Sequence, residues 1–220
     1  MTNRTVKQTT IGKLVLALSI VGVLTISFAN IAEEILEGET LARDEAVLFR
    51  LNNISTPLLD TWVPYITDLG GPAFVIAVAL LLGGVYFKRK KWNAVVQIGF
   101  GLGGVGLLSV ILKLIFERDR PQLWQWLIHA SNYSFPSGHA ALSSALALTV
   151  ILLAWHTKYR VVTIVVGVLY VLVIGLTRLY LGVHYPTDIL AGWCLGFGWV
   201  LLVATLLGLF GWPGRKAATN

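Results

Sequence analysis

Long apolar runs constrain this chain more than any other feature of its sequence. Six of them approach the ~20 residues with which a helix crosses the hydrocarbon core of a bilayer. They cover residues 14–32, 70–87, 93–116, 139–155, 161–181 and 189–210. The 220 residues are 56% hydrophobic and 13% charged, which is more apolar surface than a soluble domain of this size can bury. We predict an all-α integral membrane protein, a six-transmembrane-helix bundle that forms one domain over residues 1–220.

The first run allows a second interpretation. It follows a basic start that contains Arg4, Lys7 and Lys13, as in a secretory signal peptide. The apolar stretch is long for a signal peptide, and no clear A-x-A cleavage site follows it. We therefore favour an uncleaved transmembrane helix.

The charged residues between the runs predict an orientation. One set of connections is basic: the N-terminus, the KRKK run at 88–91, Lys158 with Arg160, and Arg215 with Lys216. The alternate connections carry the acidic residues Glu33, Glu34, Glu37, Glu39, Asp44, Glu45, Asp60 and Asp68. Because cytoplasmic loops are enriched in lysine and arginine, both termini are predicted to be cytoplasmic. The formal net charge of +6 then reflects orientation, and we expect no nucleic-acid partner.

The segment 33–60 is predicted to be an amphipathic helix at the outer surface, between the first two spans. Its apolar residues recur at roughly helical spacing between acidic ones: Leu36, Leu41, Val47, Leu48, Leu51 and Ile54. Pro57 is expected to end it, because proline interrupts a helix. The helix is expected either to lie on the membrane or to cover the bundle.

Two further patterns favour packing or solvation over chemistry. GFGLGG at 99–104 matches a dinucleotide-binding fingerprint, but that fingerprint needs a strand before it. Inside an apolar run, small residues that let helices approach closely are the better explanation. His129 is predicted to be a solvated loop histidine.

Three polar clusters, distant in sequence, all fall on the predicted outer side. Lys113 lies in the last turn of the third run and Arg120 follows that run, PSGH at 136–139 opens the fourth, and RLYLGVHYPTD at 178–188 joins the fifth and sixth. Ionisable residues near a bilayer are costly, and they mark functional sites. We expect the three clusters to meet at the outer rim of the bundle.

These residue types suit a phosphate. Lys113, Arg120 and Arg178 supply three cations that can hold a dianion. Ser137 is expected to cap a helix whose free N–H groups bind anions, and Gly138 leaves room for a ligand to approach the backbone.

The two histidines suit transfer chemistry. His184 and Asp188 lie four residues apart, on one face if the segment is helical. A carboxylate on one imidazole nitrogen fixes the tautomer and leaves the other nitrogen free to attack. His139 at the same rim is suited to proton transfer.

Together these motifs resemble the signatures of the type 2 phosphatidic acid phosphatase superfamily. The resemblance rests on KLIFERDRP at 113–121, PSGH at 136–139 and RLYLGVHYPTD at 178–188. The superfamily includes membrane lipid phosphatases and soluble vanadium haloperoxidases, and the six-span layout is similar to its bacterial membrane members. Thr177 replaces the usual serine before the arginine, but it keeps a hydroxyl.

The resemblance implies a role for each site residue. It implies that His184 is the nucleophile and forms a phosphohistidine, that Asp188 supports it, and that His139 protonates the leaving oxygen. It implies that the phosphoryl oxygens are held by Lys113, Arg120, Ser137, Gly138 and Arg178. We expect no metal and no other cofactor, because cations would stabilise the transferred group in place of magnesium.

The predicted function is a lipid phosphate or diphosphate phosphatase in the cytoplasmic (inner) membrane, with its site on the outer face. Phosphatidylglycerol phosphate, phosphatidic acid and undecaprenyl diphosphate all present a phosphate at headgroup depth. One alternative is a transporter or binding protein for an anionic lipid headgroup, which would not need His184, Asp188 and His139. The other is a vanadate-dependent peroxidase, which would not need six spans.

Overall fold

The computed structural model describes residues 3–130 and 132–208, with side chains from residue 11 onward. The Arg4 and Lys7 side chains, the end of the sixth run at 209–210, and Arg215 with Lys216 lie outside the described residues. Within them the chain forms eight α-helices and no strand, which confirms the predicted all-α class. The helices are α1 Asn3–Leu36, α2 Leu41–Asn52, α3 Pro57–Asp68, α4 Pro72–Lys88, α5 Trp92–Phe116, α6 Gly138–Ala154, α7 Arg160–Tyr180 and α8 Pro186–Leu206.

Four helices are long and apolar enough to cross a membrane alone: α1 from Ile11, α5, α7 and α8. Helices α3 and α4 form a fifth candidate span, bent by 43° at a short break. The predicted fourth span corresponds to α6, an apolar helix of 17 residues that is shorter than the four helices that can cross alone. The described residues therefore contain four or five candidate spans, and the sixth stays a prediction.

Exposed apolar surface shows where the lipid lies. Only 6% of the most apolar stretch of α1 is buried, against 50% for α8. Valines cover the face of α7 that points away from the bundle, where Val161, Val165 and Val168 are more than half exposed. Such surfaces are stable only in an apolar solvent, which confirms a membrane protein.

Helices α6 and α8 form the centre of the bundle. Helix α1 packs on α8, α7 on α6, and α5 on both central helices. A Cβ atom added at Gly196 of α8 would lie 2.0 Å from Ser144 Oγ of α6. Glycine at this position is therefore required for the two backbones to approach closely.

The glycine-rich GFGLGG run packs in the way the sequence predicted. A Cβ atom at Gly104 would lie 2.2 Å from Trp199 Nε1 of α8, and that nitrogen donates to Phe100 O at 2.8 Å. The run brings α5 against α8, and it is helical throughout.

The prediction of one helix over 33–60 is wrong, because the structure divides the segment in three. Helix α1 continues to Leu36, a turn with Gly38 at φ +75° follows, and α2 begins at Leu41. Pro57 begins α3 and does not end a helix. A proline at the first helical position loses no hydrogen bond, and its fixed φ suits the first turn. Leu48 of α2 is fully buried, so α2 covers the bundle.

Candidate active site

One cavity of about 1020 Å³ joins the three polar clusters. It opens at the end of the bundle where α5 and α7 end and where α6 and α8 begin. Its polar lining includes Lys113, Arg120, Gly138, His139, Arg178 and His184. The structure therefore brings together residues that the sequence places on one side, and it adds Asp68 and the exposed His129 to the lining.

The loop before α6 holds the first two cations in place. Lys113 Nζ donates to the carbonyl oxygens of Tyr133 and Ser134. Arg120 Nε donates to Asn132 O at 2.9 Å, and its Nη2 donates to Tyr133 O at 3.3 Å. Backbone carbonyls thus fix both side chains at the cavity wall without neutralising their charge.

Arg178 supplies the third cation and is only 4% exposed. Its Nη1 donates to Thr67 Oγ1 at 3.1 Å, and Thr177 Oγ1 donates to the same oxygen at 3.0 Å. The Arg178 Nε–H is buried and has no hydrogen-bond partner among the described residues. A buried donor without an acceptor is costly, so this group is suited to an anion in the cavity that it lines.

The PSGH segment forms the start of α6, as predicted. Ser137 is the N-cap, and its side chain accepts from the Ala140 N–H at 3.5 Å. Gly138 and His139 occupy the first turn, whose N–H groups have no acceptor within the helix. The Ser137 N–H donates to Asp188 O at 3.0 Å, which ties this helix start to the start of α8.

His184 and Asp188 are paired, but not because they share a helix face. Helix α8 begins at Pro186, so His184 lies before it and Asp188 lies in its first turn. Asp188 Oδ2 accepts from the Tyr185 N–H at 2.9 Å and lies 3.3 Å from His184 Nδ1. A helix cap therefore makes the contact that the sequence attributed to helical spacing.

The partners of His184 define its protonation. Asp188 only accepts, so Nδ1 carries the proton, while the donor Arg120 Nη1 lies 3.2 Å from Nε2. Burial, followed by the nearby cations Arg178, Lys113 and Arg120, lowers the pKa of His184 well below its ordinary value. His184 is therefore a neutral imidazole with its Nε2 lone pair on the cavity side.

The sequence did not identify the residues that bind Asp188 from outside the cavity. Arg118 Nη1 donates to Asp188 Oδ1 at 2.7 Å, and Arg118 Nη2 donates to Asp44 Oδ2 at 2.9 Å. Thr67, which holds Arg178, was missed as well. Asp44 and Thr67 stand outside every motif, and Arg118 lies inside ERDRP with nothing to separate its role from that of Arg120.

The cavity continues from its polar end into an apolar groove between α4 and α5. The groove is lined by Val75, Ile76, Ala79 and Leu80 of α4 and by Ile98, Leu102, Leu107 and Val110 of α5. Along α5, Ile98 precedes Lys113 by 15 residues, which is about 22 Å at the rise of an α-helix. The groove therefore reaches most of the way across a hydrocarbon core.

Comparisons with known proteins agree with this geometry. The model of the PAP2 superfamily matches residues 94–212. Phosphatidylglycerophosphatase B of Bacillus subtilis (strain 168) is 35% identical over 181 residues, which cover 79% of this chain and 87% of that protein. An undecaprenyl-diphosphatase of Sulfolobus acidocaldarius is 30% identical over 159 residues, which cover 70% of this chain and 71% of that protein.

A solved structure has the same fold. The crystal structure of a transmembrane PAP2 type phosphatidylglycerolphosphate phosphatase from Bacillus subtilis aligns with a TM-score of 0.75 at 30% identity, and the alignment covers 84% of this chain and 94% of that one. Relatives that are named phosphatases favour hydrolysis over headgroup transport or peroxidation. This chain therefore belongs to the PAP2 superfamily and is a membrane lipid phosphatase.

Proposed function

We propose that the enzyme hydrolyses a phosphate ester or diphosphate of a membrane lipid at the outer face of the cytoplasmic membrane, through a phosphohistidine. The observation that supports this proposal is one cavity that joins a cationic, histidine-containing end to an apolar groove. A lipid can place its phosphate among Lys113, Arg120 and Arg178 while its chain remains in the groove. Keeping the chain out of water saves about 0.8 kcal/mol per CH₂ group.

In the first step His184 Nε2 attacks the phosphorus atom, and the bond to the leaving lipid oxygen breaks. His139, which lines the same cavity, takes up a proton when the anionic phosphate binds and gives that proton to the leaving oxygen. The cations and the first-turn N–H groups of α6 hold the equatorial oxygens, where charge accumulates. Asp188 stabilises the positive charge that the phosphorylated imidazole ring acquires.

In the second step water attacks the phosphohistidine. His139, now neutral, takes a proton from that water, and the P–N bond breaks. Inorganic phosphate leaves, and His184 returns to its neutral form. The first step needs the Nε2 lone pair on the cavity side and the second step restores it, and the contacts of Asp188 and Arg120 support this tautomer.

The charges at the opposite end of the bundle support the outer location. The run 88–91 lies between α4 and α5, and Lys158 with Arg160 lies between α6 and α7. The active-site connections lie between α5 and α6 and between α7 and α8, so they are at the other end. By the positive-inside rule the basic end is cytoplasmic and the site is external, with α6 as the sixth span.

A phosphate-release panel tests the substrate class. We expect phosphatidylglycerol phosphate, phosphatidic acid or undecaprenyl diphosphate in mixed micelles to be hydrolysed far better than para-nitrophenyl phosphate or glycerol phosphate. The Bacillus subtilis and Sulfolobus acidocaldarius relatives are named for the first and third of these lipids. Equal kcat/KM for the soluble esters would remove the lipid requirement but leave the hydrolytic chemistry in place.

The nucleophile has its own test. His184→Ala is expected to abolish phosphate release and the ³²P label that an alkaline detergent quench traps on the wild-type protein and that acid treatment then removes. His156→Ala is the matched control, because His156 is exposed at the opposite end of the bundle. Trapped label in the His184 variant would place the nucleophile elsewhere.

Cysteine labelling tests the orientation. In a Cys194→Ala background, a cysteine at Asn132 is expected to react with an impermeant maleimide in intact cells, and one at Lys158 only after lysis. The reversed pattern would place the site in the cytoplasm.

A further inference from the structure

The start of α8 is surrounded by a chain of buried charges outside the cavity. We propose that Arg118 and Asp44 are positioning residues for the reaction: they fix the Asp188 carboxylate and thereby keep His184 aligned for attack. Asp188 is fully buried, Asp44 is 3% exposed, and the Arg118 side chain is 11% exposed. The inference rests on the proposed role of His184 as the nucleophile.

The two oxygens of Asp188 have separate tasks. Oδ1 accepts from Arg118 Nη1 at 2.7 Å. Oδ2 faces His184 Nδ1 at 3.3 Å and accepts from the Tyr185 N–H at 2.9 Å. Because Arg118 occupies one oxygen, the carboxylate cannot rotate without breaking a short, charge-assisted bond. The orientation of Oδ2, and with it the imidazole tautomer, is therefore set from outside the cavity.

Asp44 and Thr187 fix Arg118 in turn. Asp44 Oδ2 accepts from Arg118 Nη2 at 2.9 Å and from Thr187 Oγ1 at 2.6 Å. Thr187 Oγ1 also accepts from Arg118 Nη1 at 2.8 Å. The Arg118 guanidinium carbon lies 4.1 Å from the centre of the Tyr185 ring. An arginine that bridges two carboxylates and stacks on an aromatic ring is held in one orientation.

The charges explain why two carboxylates are present. Arg118 alone would neutralise Asp188, so that little charge remained to stabilise a positive imidazole. Asp44 compensates Arg118, and the three residues together carry a net charge of about −1 when each is ionised. That charge faces His184, whose ring becomes positive when Nε2 is phosphorylated. Asp44, on α2, thus contributes to the transition state without approaching the substrate.

The location of the network predicts which kinetic constant changes. Among the described residues, Arg118, Asp44 and Thr187 are not part of the cavity lining, whereas Arg178 and Lys113 are. Loss of the network should therefore lower kcat and leave both KM and inhibition by inorganic phosphate nearly unchanged. Collapse of the site would change all three.

The test compares Arg118→Met with Arg43→Gln in purified full-length protein on a lipid phosphate in mixed micelles. Arg43 lies on α2 and pairs with Glu34 at 3.6 Å on the surface. It therefore controls for the loss of an arginine–carboxylate pair at the helix that covers the bundle. We expect kcat to fall about 100-fold in Arg118→Met, the cost of misplacing a catalytic group, and to be unchanged in Arg43→Gln. A kcat within twofold of wild type in folded Arg118→Met, or an equal loss in the control, overturns the inference.

Two milder variants keep the inference testable if Arg118→Met does not fold. Arg118→Lys keeps the charge but cannot bridge both carboxylates, and Asp44→Asn removes only the compensating charge. We expect each to lower kcat about 10-fold at constant KM. The inference is overturned if these variants have a wild-type kcat or if only their KM changes. If His184→Ala remained active, the proposed function would fail; if only the Arg118 variants were normal, this inference alone would fail.

Discussion

Arg118 and Arg178 are both buried at the same end of the bundle, yet their surroundings differ. Arg118 binds two carboxylates and stacks on an aromatic ring, away from the cavity. Arg178 lines the cavity and donates to one threonine hydroxyl, and its buried Nε–H has no partner in the part of the chain that the structure describes. Neither burial nor residue type separates them.

The partners of each arginine indicate what it can do. The Nη1 and Nη2 groups of Arg118 are engaged by carboxylates and hydroxyls outside the cavity, so they are placed to position those partners and not to hold a ligand. A guanidinium with an unused buried donor is incomplete without an anion. Arg178 therefore fits substrate binding, and Arg118 fits alignment of Asp188.

The largest expected effect comes from the incomplete arginine. Arg178→Met should lower kcat/KM about 10³-fold, because it removes a cation that we propose contacts the transferred phosphoryl group. Inhibition by inorganic phosphate should weaken in the same variant, whereas it should persist in Arg118→Met. Intact phosphate inhibition in both variants would erase the distinction between the two arginines.

A smaller effect is expected at the residue that holds Arg178. Thr67→Val keeps the shape of the side chain but removes the acceptor for Arg178 Nη1, so kcat/KM should fall about 10-fold. Thr205→Val is the matched control, because the Thr205 hydroxyl is buried but bonds only Leu201 O of its own helix. Equal losses in both variants would mean that Arg178 does not depend on Thr67.

The cations around the cavity should also be visible in a titration. Burial and the neighbouring cations lower the pKa of His184, so its ring should stay neutral as the pH falls through about 6.5, the ordinary histidine value. The neutral His184 ring, the proposed nucleophile, is then lost to protonation only at lower pH. Nitrogen-15 spectra of labelled protein, with His184→Gln to assign the signal, measure the midpoint directly. A midpoint at or above 6.5 would contradict the proposed electrostatics.

The smallest expected effect is that of a chelator. Arg118 binds both Asp44 and Asp188, and within the described residues no group of three histidine, cysteine or acidic side chains could hold a metal ion. EDTA should therefore change kcat by less than about twofold, because in the proposed mechanism cationic side chains take the role of a metal at the phosphoryl oxygens. Inhibition by EDTA that magnesium reverses would require a ligand set that includes the carboxylates now bound to Arg118.

Local sequence patterns were enough to predict most of the helices and the grouping of the motifs at one end of the bundle. Apolar runs predicted α1, α4, α5, α6, α7 and α8, because a helix is the simplest way to satisfy the backbone in lipid. Each motif begins or ends such a run, so counting runs placed all three at one end. Ser137 was identifiable as a cap because capping depends on neighbouring residues. The sequence does not show that 33–60 is divided among the end of α1, all of α2 and the start of α3, because weak amphipathic periodicity continues across Gly38 and Pro57.

Only the tertiary structure decided which polar residues support the site. Arg118 and Arg120 are two residues apart after α5, whose C-cap residue Glu117 has a left-handed conformation. That turn directs Arg120 to His184, and it directs Arg118 to Asp188 and Asp44. Asp44 and Thr67 reach the site from α2 and α3, more than 70 residues before the partners they bind. Their roles depend on the packing of distant helices, because hydrogen bonds act over about 3 Å in space and carry no sequence spacing.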